Sequence, residues 1–400
     1  MHSRIVVLGS NFAGYAAALG LRKRLGAGDR ITVISRSDRF LFMPSLIWVP
    51  FGLREQKQIS FPLARVYAKH GIAFKHAAAI AIDPRERFVE YEGGREPYDY
   101  LVITTGPKNN FAAIPGLGPD GGYTQSIFGF EDAALARRAY LAFLEKPGPV
   151  VIGAAQGASC FGAAYEFALN FAYQRKKEGL ERRAPITFLT SEPFAGHLGM
   201  GGFGNARELL ARFFKKLGIQ VVENVSIKEV APGEIHLADG RSLPFAYSMI
   251  APPFQAVDAV RACDALTVKP AGWVEVDEHY RHRVHREVFA AGVTVHFPPP
   301  RPTPVATGVP KTGYMSEEMG RIVAHNISAE LRGSPLLALP PAAIDAKCVL
   351  DAGNTGVIMS ADRFLEPRKH AWLVPGPEAH WAKLAFEKYF LATRRRGIGG

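Results

Sequence analysis

Three cysteines, Cys160, Cys263 and Cys348, are the residues of this 400-residue chain best suited to redox chemistry. Cys160 ends the run Val150-Val151-Ile152-Gly153-Ala154-Ala155-Gln156-Gly157-Ala158-Ser159-Cys160. The run opens as apolar, β-branched residues without alternation, which marks a buried strand. A glycine-bearing turn follows, then a helical stretch from Ala163 to Asn170. This is the layout of a dinucleotide-binding strand–turn–helix. Here a thiol stands where the helix begins. A helix N-terminus carries partial positive charge, which lowers a thiol's pKa and favours the reactive thiolate. The turn therefore reads as a thiol site. Three cysteines with no CxxC spacing form neither a disulfide scaffold nor a metal site, and no metal-ligand cluster is evident.

Two other groups could serve that thiol. His197 lies in the loop Glu192–Gly199 and titrates near neutrality, so it could move protons. An exposed or merely hydrogen-bonded histidine is the plainer alternative. Lys311 precedes Thr312 and Gly313 at the start of a helix expected over Met315–Leu331. A helix N-terminus beside a lysine is an anion site suited to the pyrimidine edge of a reduced flavin. Ordinary capping with a surface lysine is the alternative.

The elements that must position these groups come in order along the chain. Ile5–Leu8 reads as a buried strand, Gly9–Gly14 as a turn, Ala16–Leu25 as a helix and Ile31–Ile34 as the next strand. This βαβ unit sits where an FAD-binding Rossmann unit usually stands. Gly9, Asn11 and Gly14 occupy its fingerprint positions, and Ser35 holds the place of the usual ribose-binding acid. Phe40–Ser45, with Pro44, is either plain core or a rigid wall beside a flat ring. Arg87–Tyr91 and the Glu92-Gly93-Gly94 turn read as a hairpin. Thr105-Gly106 ends a strand with residues that let a backbone approach a cofactor, and Gly292 ends another. The fold class is α/β: two Rossmann-like dinucleotide-binding domains, with a C-terminal segment closing over the flavin. Residues 1–110 and 285–332 form a discontinuous FAD-binding domain. Residues 111–284 form the second Rossmann-like domain, and 333–400 the C-terminal segment with Cys348. In the second domain Thr190-Ser191 stand where a ribose-binding acid is expected, with Glu192 slightly later, so NAD(P)H binding is not expected. His380–Leu391 reads as an amphipathic helix, with aromatic and apolar residues on one side and Lys383, Glu387 and Lys388 among them.

Composition narrows the partners. The chain is 48% hydrophobic and 21% charged, which is globular, and its net charge is +11. A basic protein favours anionic substrates or an anionic membrane surface. No basic run interleaved with aromatics points to nucleic acid. The longest apolar stretch, Phe40–Phe51, falls well short of the roughly 20 residues a spanning helix needs, and no signal peptide opens the chain. A cytoplasmic-side or peripheral membrane location and a homo-oligomer are expected.

Together these motifs resemble the sulfide:quinone oxidoreductases, within the two-dinucleotide-binding-domain flavoproteins. The resemblance rests on Gly153–Phe167 around Cys160, on Thr190–Pro193 with Gly196–Gly199, on Pro310–Met315, on Cys348, and on Lys383–Phe390. It implies an FAD enzyme in which Cys160 and Cys348 form a redox pair attacked by hydrosulfide. One thiolate takes the new sulfur as a persulfide and the other meets flavin C4a; the sequence does not assign which does which. Electrons then pass to a quinone near Phe386. Glu166 and His197 match residues with proton-handling roles, and Lys311 and Lys383 match lysines near flavin and quinone. Cys263 lies outside every matching motif and reads as a bystander. Phe128 replaces a third cysteine of many relatives, and Asp132 a nearby histidine. Several relatives continue past the position of Gly400 into amphipathic helices, so tight membrane attachment is not expected. The rival readings are a flavoprotein sulfide dehydrogenase feeding a soluble cytochrome, an NADH:quinone oxidoreductase, and a non-catalytic persulfide-binding flavoprotein.

Overall fold

The computed structural model describes residues 2–399. A five-stranded parallel sheet begins at the opening strand, Arg4–Leu8. Its order is Val288–Ala290, Tyr100–Ile103, Arg4–Leu8, Arg30–Ser35 and Ala73–His76. Ile5 to Leu8 are all buried, as strands covered by helices on both faces must be. The first helix, Phe12–Arg24, packs against Gly313–Leu331. Small residues set that distance: a Cβ on Gly320 would collide with the Ala13 carbonyl. A second parallel sheet runs Ile219–Val222, Ile186–Thr190, Val150–Ala154 and Tyr247–Ala251. Its helix, Phe161–Lys177, carries the first thiol. The hairpin forms from Phe88–Tyr91 and Gly94–Pro97.

The C-terminal residues add a three-stranded antiparallel sheet, Ala346–Asp351, Gly356–Ala361 and Ala371–Gly376. The closing helix, Pro377–Arg395, follows it. Three helices start earlier than the residue pattern suggests. The first begins at Phe12, not Ala16, because Asn11 is already its extended N-cap. The thiol helix begins at Phe161, with Cys160 as its N-cap. The third begins at Gly313, and the Thr312 hydroxyl accepts the Met315 N–H at 3.2 Å. The closing helix also differs in which side faces in. Lys383 and Glu387 are buried, while Trp381, Phe386 and Tyr389 are exposed. Burial of these charges is possible because acids and bases on other elements meet them.

The closing helix is fixed near its end as well. The Tyr15 hydroxyl donates to the Arg394 carbonyl, and the Arg394 guanidinium pairs with Glu317. Phe390 packs among Phe12, Phe40 and Phe42 at centroid distances of 5.5, 5.7 and 5.0 Å. Among the described residues, no helix is long and apolar enough to cross a membrane.

Candidate functional site

The thiol turn is laced to the segment that leads into Lys311. Gly308 N–H donates to the Ala158 carbonyl, and Gly157 N–H to the Ala306 carbonyl, each at 2.7 Å. A Cβ on Gly308 would sit 2.8 Å from the Ser159 Cβ. Two separate chain segments thus pass in contact, and they bring Lys311 toward Cys160. The Lys311 ammonium donates to the Val293 carbonyl at 3.0 Å and to the Val295 carbonyl. It also lies over the Trp273 ring at 4.8 Å. Burial brings Lys311 down to about 7, and Cys160 opposes that fall.

The expected low thiol pKa is not what the protein alone produces. Burial pushes Cys160 up to about 12, with Lys311 pulling the other way. Desolvation disfavours the thiolate more strongly than Lys311 favours it. Cys348 lies on the strand Ala346–Asp351, opposite Met359. Burial raises it to about 11; Glu166 adds to the rise and Lys383 opposes it. As a residue, however, Cys348 is exposed. All three cysteines are free thiols.

Glu166 lies in the thiol helix and is buried. Its Oε1 accepts the Asp351 N–H at 2.7 Å and pairs with the Lys383 ammonium. Burial raises the carboxyl to about 7, against the pull of Lys383. Asp351 is fully buried. Its carboxylate accepts the Trp48 indole N–H at 2.9 Å and the Gly353 N–H at 3.2 Å, and meets His380 Nδ1 at 2.6 Å. Lys383 lies over the Trp48 ring at 5.2 Å, and Arg54 over the same ring at 4.6 Å. Arg54 pairs with Glu387 at 3.0 Å, and the Ser45 hydroxyl donates to Glu387. Residue types and spacing single out neither Trp48, Asp351 nor His380. Their partners lie on other elements, and Trp48 and Asp351 are 303 positions apart. An acid at the buried end of a strand was the one available signal.

The His197 loop is held from below. Glu192 is fully buried; it accepts the Tyr165 hydroxyl at 2.5 Å, the Thr190 hydroxyl at 2.7 Å and the Leu198 N–H at 2.5 Å. The acid nearest the expected ribose position is thereby turned inward. His197 Nδ1 is buried without a partner, and burial lowers the imidazole's pKa. Burial also raises Glu192 from 4.5 to about 7. Between those values the native protein holds a proton that the unfolded chain has released, so stability falls as pH rises. The loss at this one site amounts to about 3 kcal/mol. Glu192→Gln is expected to flatten the decline in thermal stability between pH 5 and pH 8, followed by circular dichroism. An unchanged slope would contradict the assignment.

The first βαβ unit fits a dinucleotide. Gly9 has φ +93°, and a Cβ there would strike the Thr104 carbonyl. A Cβ on Gly14 would strike the Gly9 carbonyl. Only glycine lets the turn close onto the helix. Asn11 Oδ1 is buried with no partner at the helix start. Ser35 is engaged by the Ser10 hydroxyl at 2.7 Å. Gly106, φ +69°, has open space where a side chain would stand. Thr105 and Gly292 follow strand ends of the same sheet. Pro44 lies at the start of the short helix Met43–Trp48. Phe386 rests on Phe42 at 5.9 Å. Phe128 packs edge-on against Phe254 at 5.4 Å. Among the described residues, no cluster of three His, Cys, Asp or Glu side chains could hold a metal.

The sequence profile of the pyridine nucleotide-disulphide oxidoreductases matches residues 3–312. The chain belongs to this family. It is therefore an oxidoreductase of flavoprotein type. It is 38% identical to the sulfide-quinone reductase of Aquifex aeolicus (strain VF5) over 403 residues, covering 99% of this chain and 92% of that protein. The crystal structure of sulfide:quinone oxidoreductase from Aquifex aeolicus superposes with a TM-score of 0.94 at 36% identity. That match covers 99% of this chain and 92% of the other. An NADH dehydrogenase-like protein of Mycobacterium tuberculosis is 27% identical, over 89% of this chain and 87% of its own length. The α/β architecture expected from the strand and glycine pattern agrees with these matches.

Proposed function

We propose that this protein oxidises sulfide and passes the electrons through FAD to a quinone. One observation carries the reading. A thiol caps the Phe161–Lys177 helix near Lys311, and one turn and a half further on the same helix presents Glu166 to Lys383 and to the strand of the second thiol. Sulfur chemistry and the closing helix are thus joined by one element.

FAD would be held by Gly9, Asn11, Gly14, Ser35, Pro44, Thr105, Gly106, Gly292, Lys311, Thr312 and Gly313, and it supplies a two-electron carrier between thiol and quinone. Hydrosulfide attacks a bridge between Cys160 and Cys348. One S–S bond breaks and another forms; one cysteine keeps the new sulfur as a persulfide and the other leaves as thiolate. Lys311 offsets the negative charge at Cys160. His197, whose pKa burial lowers and whose Nδ1 has no partner, would accept a proton. Lys383 and Phe386 line the quinone site, where the ammonium stabilises charge on a quinone oxygen. The outward Trp381, Phe386 and Tyr389, with Lys388 and Arg395 exposed beside them, suit peripheral contact with an anionic membrane surface.

The inward Glu192 weighs against NADH, since it is already committed to three hydrogen bonds. Anaerobic sulfide should bleach the flavin absorbance, and decyl-ubiquinone should restore it. Restoration by cytochrome c and not by the quinone would move the acceptor to a soluble haem protein. Bleaching by NADH within seconds, with none by sulfide, would overturn the reading. Sulfide binding without bleaching would leave a persulfide-binding protein.

A further inference from the structure

The cluster under the closing helix holds an imbalance of charge. Glu166 and Asp351 are two buried carboxylates, and Lys383 is their one permanent cation. Arg54 and Glu387 cancel each other beside them. His380, whose side chain is 20% exposed while that of Asp351 is 0% exposed, meets the cluster from its edge. Cys348 faces the same charges from its strand. With His380 neutral and both acids ionised, the cluster carries one net negative charge out of water. Such a charge is costly, and a proton removes it. The proton can sit on Glu166 inside or on His380 at the edge. The cluster is thus a store for a single proton with one inner and one outer seat.

That capacity matches the stoichiometry of the proposed reaction, on which this inference rests. Hydrosulfide gives sulfur, one proton and two electrons. Quinone takes two electrons and two protons. The sum is HS⁻ + H⁺ + quinone → S⁰ + quinol, which draws one proton from solvent per turnover. We propose that His380 and Asp351 are the proton port of the quinone half-reaction. When the Glu166–Lys383 pair gives up a proton to the quinone, His380 takes one from solvent, and Asp351 couples the two events. His380 is a positioning residue here, acting through Asp351, and Trp48 holds the second carboxylate oxygen in place.

Two measurements on the FAD-loaded protein test this. First, the Glu166 carboxyl is titrated by infrared spectroscopy, its C=O band identified by loss in Glu166→Gln. In His380→Gln the outer seat for the cluster's proton is gone, so the Glu166 titration moves to higher pH by about one unit, a tenfold change in its equilibrium. His380→Lys, which supplies a cation at that seat, moves it back. Second, stopped-flow absorbance separates the half-reactions. His380→Gln leaves bleaching by sulfide unchanged and slows reoxidation by decyl-ubiquinone about tenfold above pH 7. A Glu166 titration that stays put in both variants, or equal slowing of both half-reactions, overturns the port. If sulfide fails to bleach the unaltered protein, the functional reading falls, while the infrared titration still decides the coupling.

Discussion

Cys160→Ala is expected to bind flavin normally and to lose sulfide-dependent bleaching by on the order of a thousandfold or more, as removal of a residue that carries the covalent intermediate does. The structure makes this a clean substitution. Cys160 caps the helix through its backbone, and its side chain makes no capping hydrogen bond. Alanine costs little there in helix stability, and the first glycine-rich unit, which fits a dinucleotide, lies elsewhere in the chain. Flavin content and thermal stability should therefore stay near those of the unaltered protein. Loss of bleaching with flavin retained assigns the defect to sulfur chemistry. Bleaching at the original rate would end every mechanism that runs through the cysteines.

Lys383→Met is expected to show a stability loss that grows with pH. Removing one partner of a buried ion pair typically costs about 3–5 kcal/mol, because the other charge is left unpaired. Glu166 has an escape: it can take a proton. Its carboxyl already titrates at about 7 with Lys383 pulling it down, and without Lys383 it titrates higher. At pH 6 the acid is mostly neutral and the loss is small. At pH 9 ionisation leaves an unpaired buried carboxylate, or protonation is forced at a cost that rises with each unit of pH. Urea unfolding at both pH values checks this. Equal losses at pH 6 and pH 9 would show that packing, rather than charge, is what Lys383 contributes. Quinone reduction should also fall in this variant while sulfide bleaching persists.

Much of the architecture could be read from local pattern. Ile5–Leu8 and Val150–Ile152 are uninterrupted apolar runs, and both are central strands of parallel sheets. The glycines at 9 and 14 mark a turn that only glycine can close. Cys160 is visible because it stands in a turn of known shape. The site's electrostatics were less legible, for a physical reason. A thiol's pKa depends on how much protein surrounds it, and a sequence does not give that. At Cys160 burial outweighs the lysine beside it. The closing helix shows the same gap: its pattern is amphipathic, but which side faces in depends on Glu166, Arg54 and Ser45, all on distant elements. Buried charge can be recognised only once its partners are known. His380 and Asp351 each look ordinary alone, and only their contact gives them meaning.

One feature of the fold bears on how the protein is made. Tyr15, in the first helix, donates to the carbonyl of Arg394, 379 residues later, and Phe12 and Phe40 pack on Phe390. Chains emerge from the ribosome N-terminus first, and domains usually fold in that order. Here the side of Phe12 and Phe40 that Phe390 covers stays open until the closing helix is synthesised. The nascent chain must carry that exposed aromatic surface through nearly the whole of translation, and this is the interval in which a holding chaperone would find it.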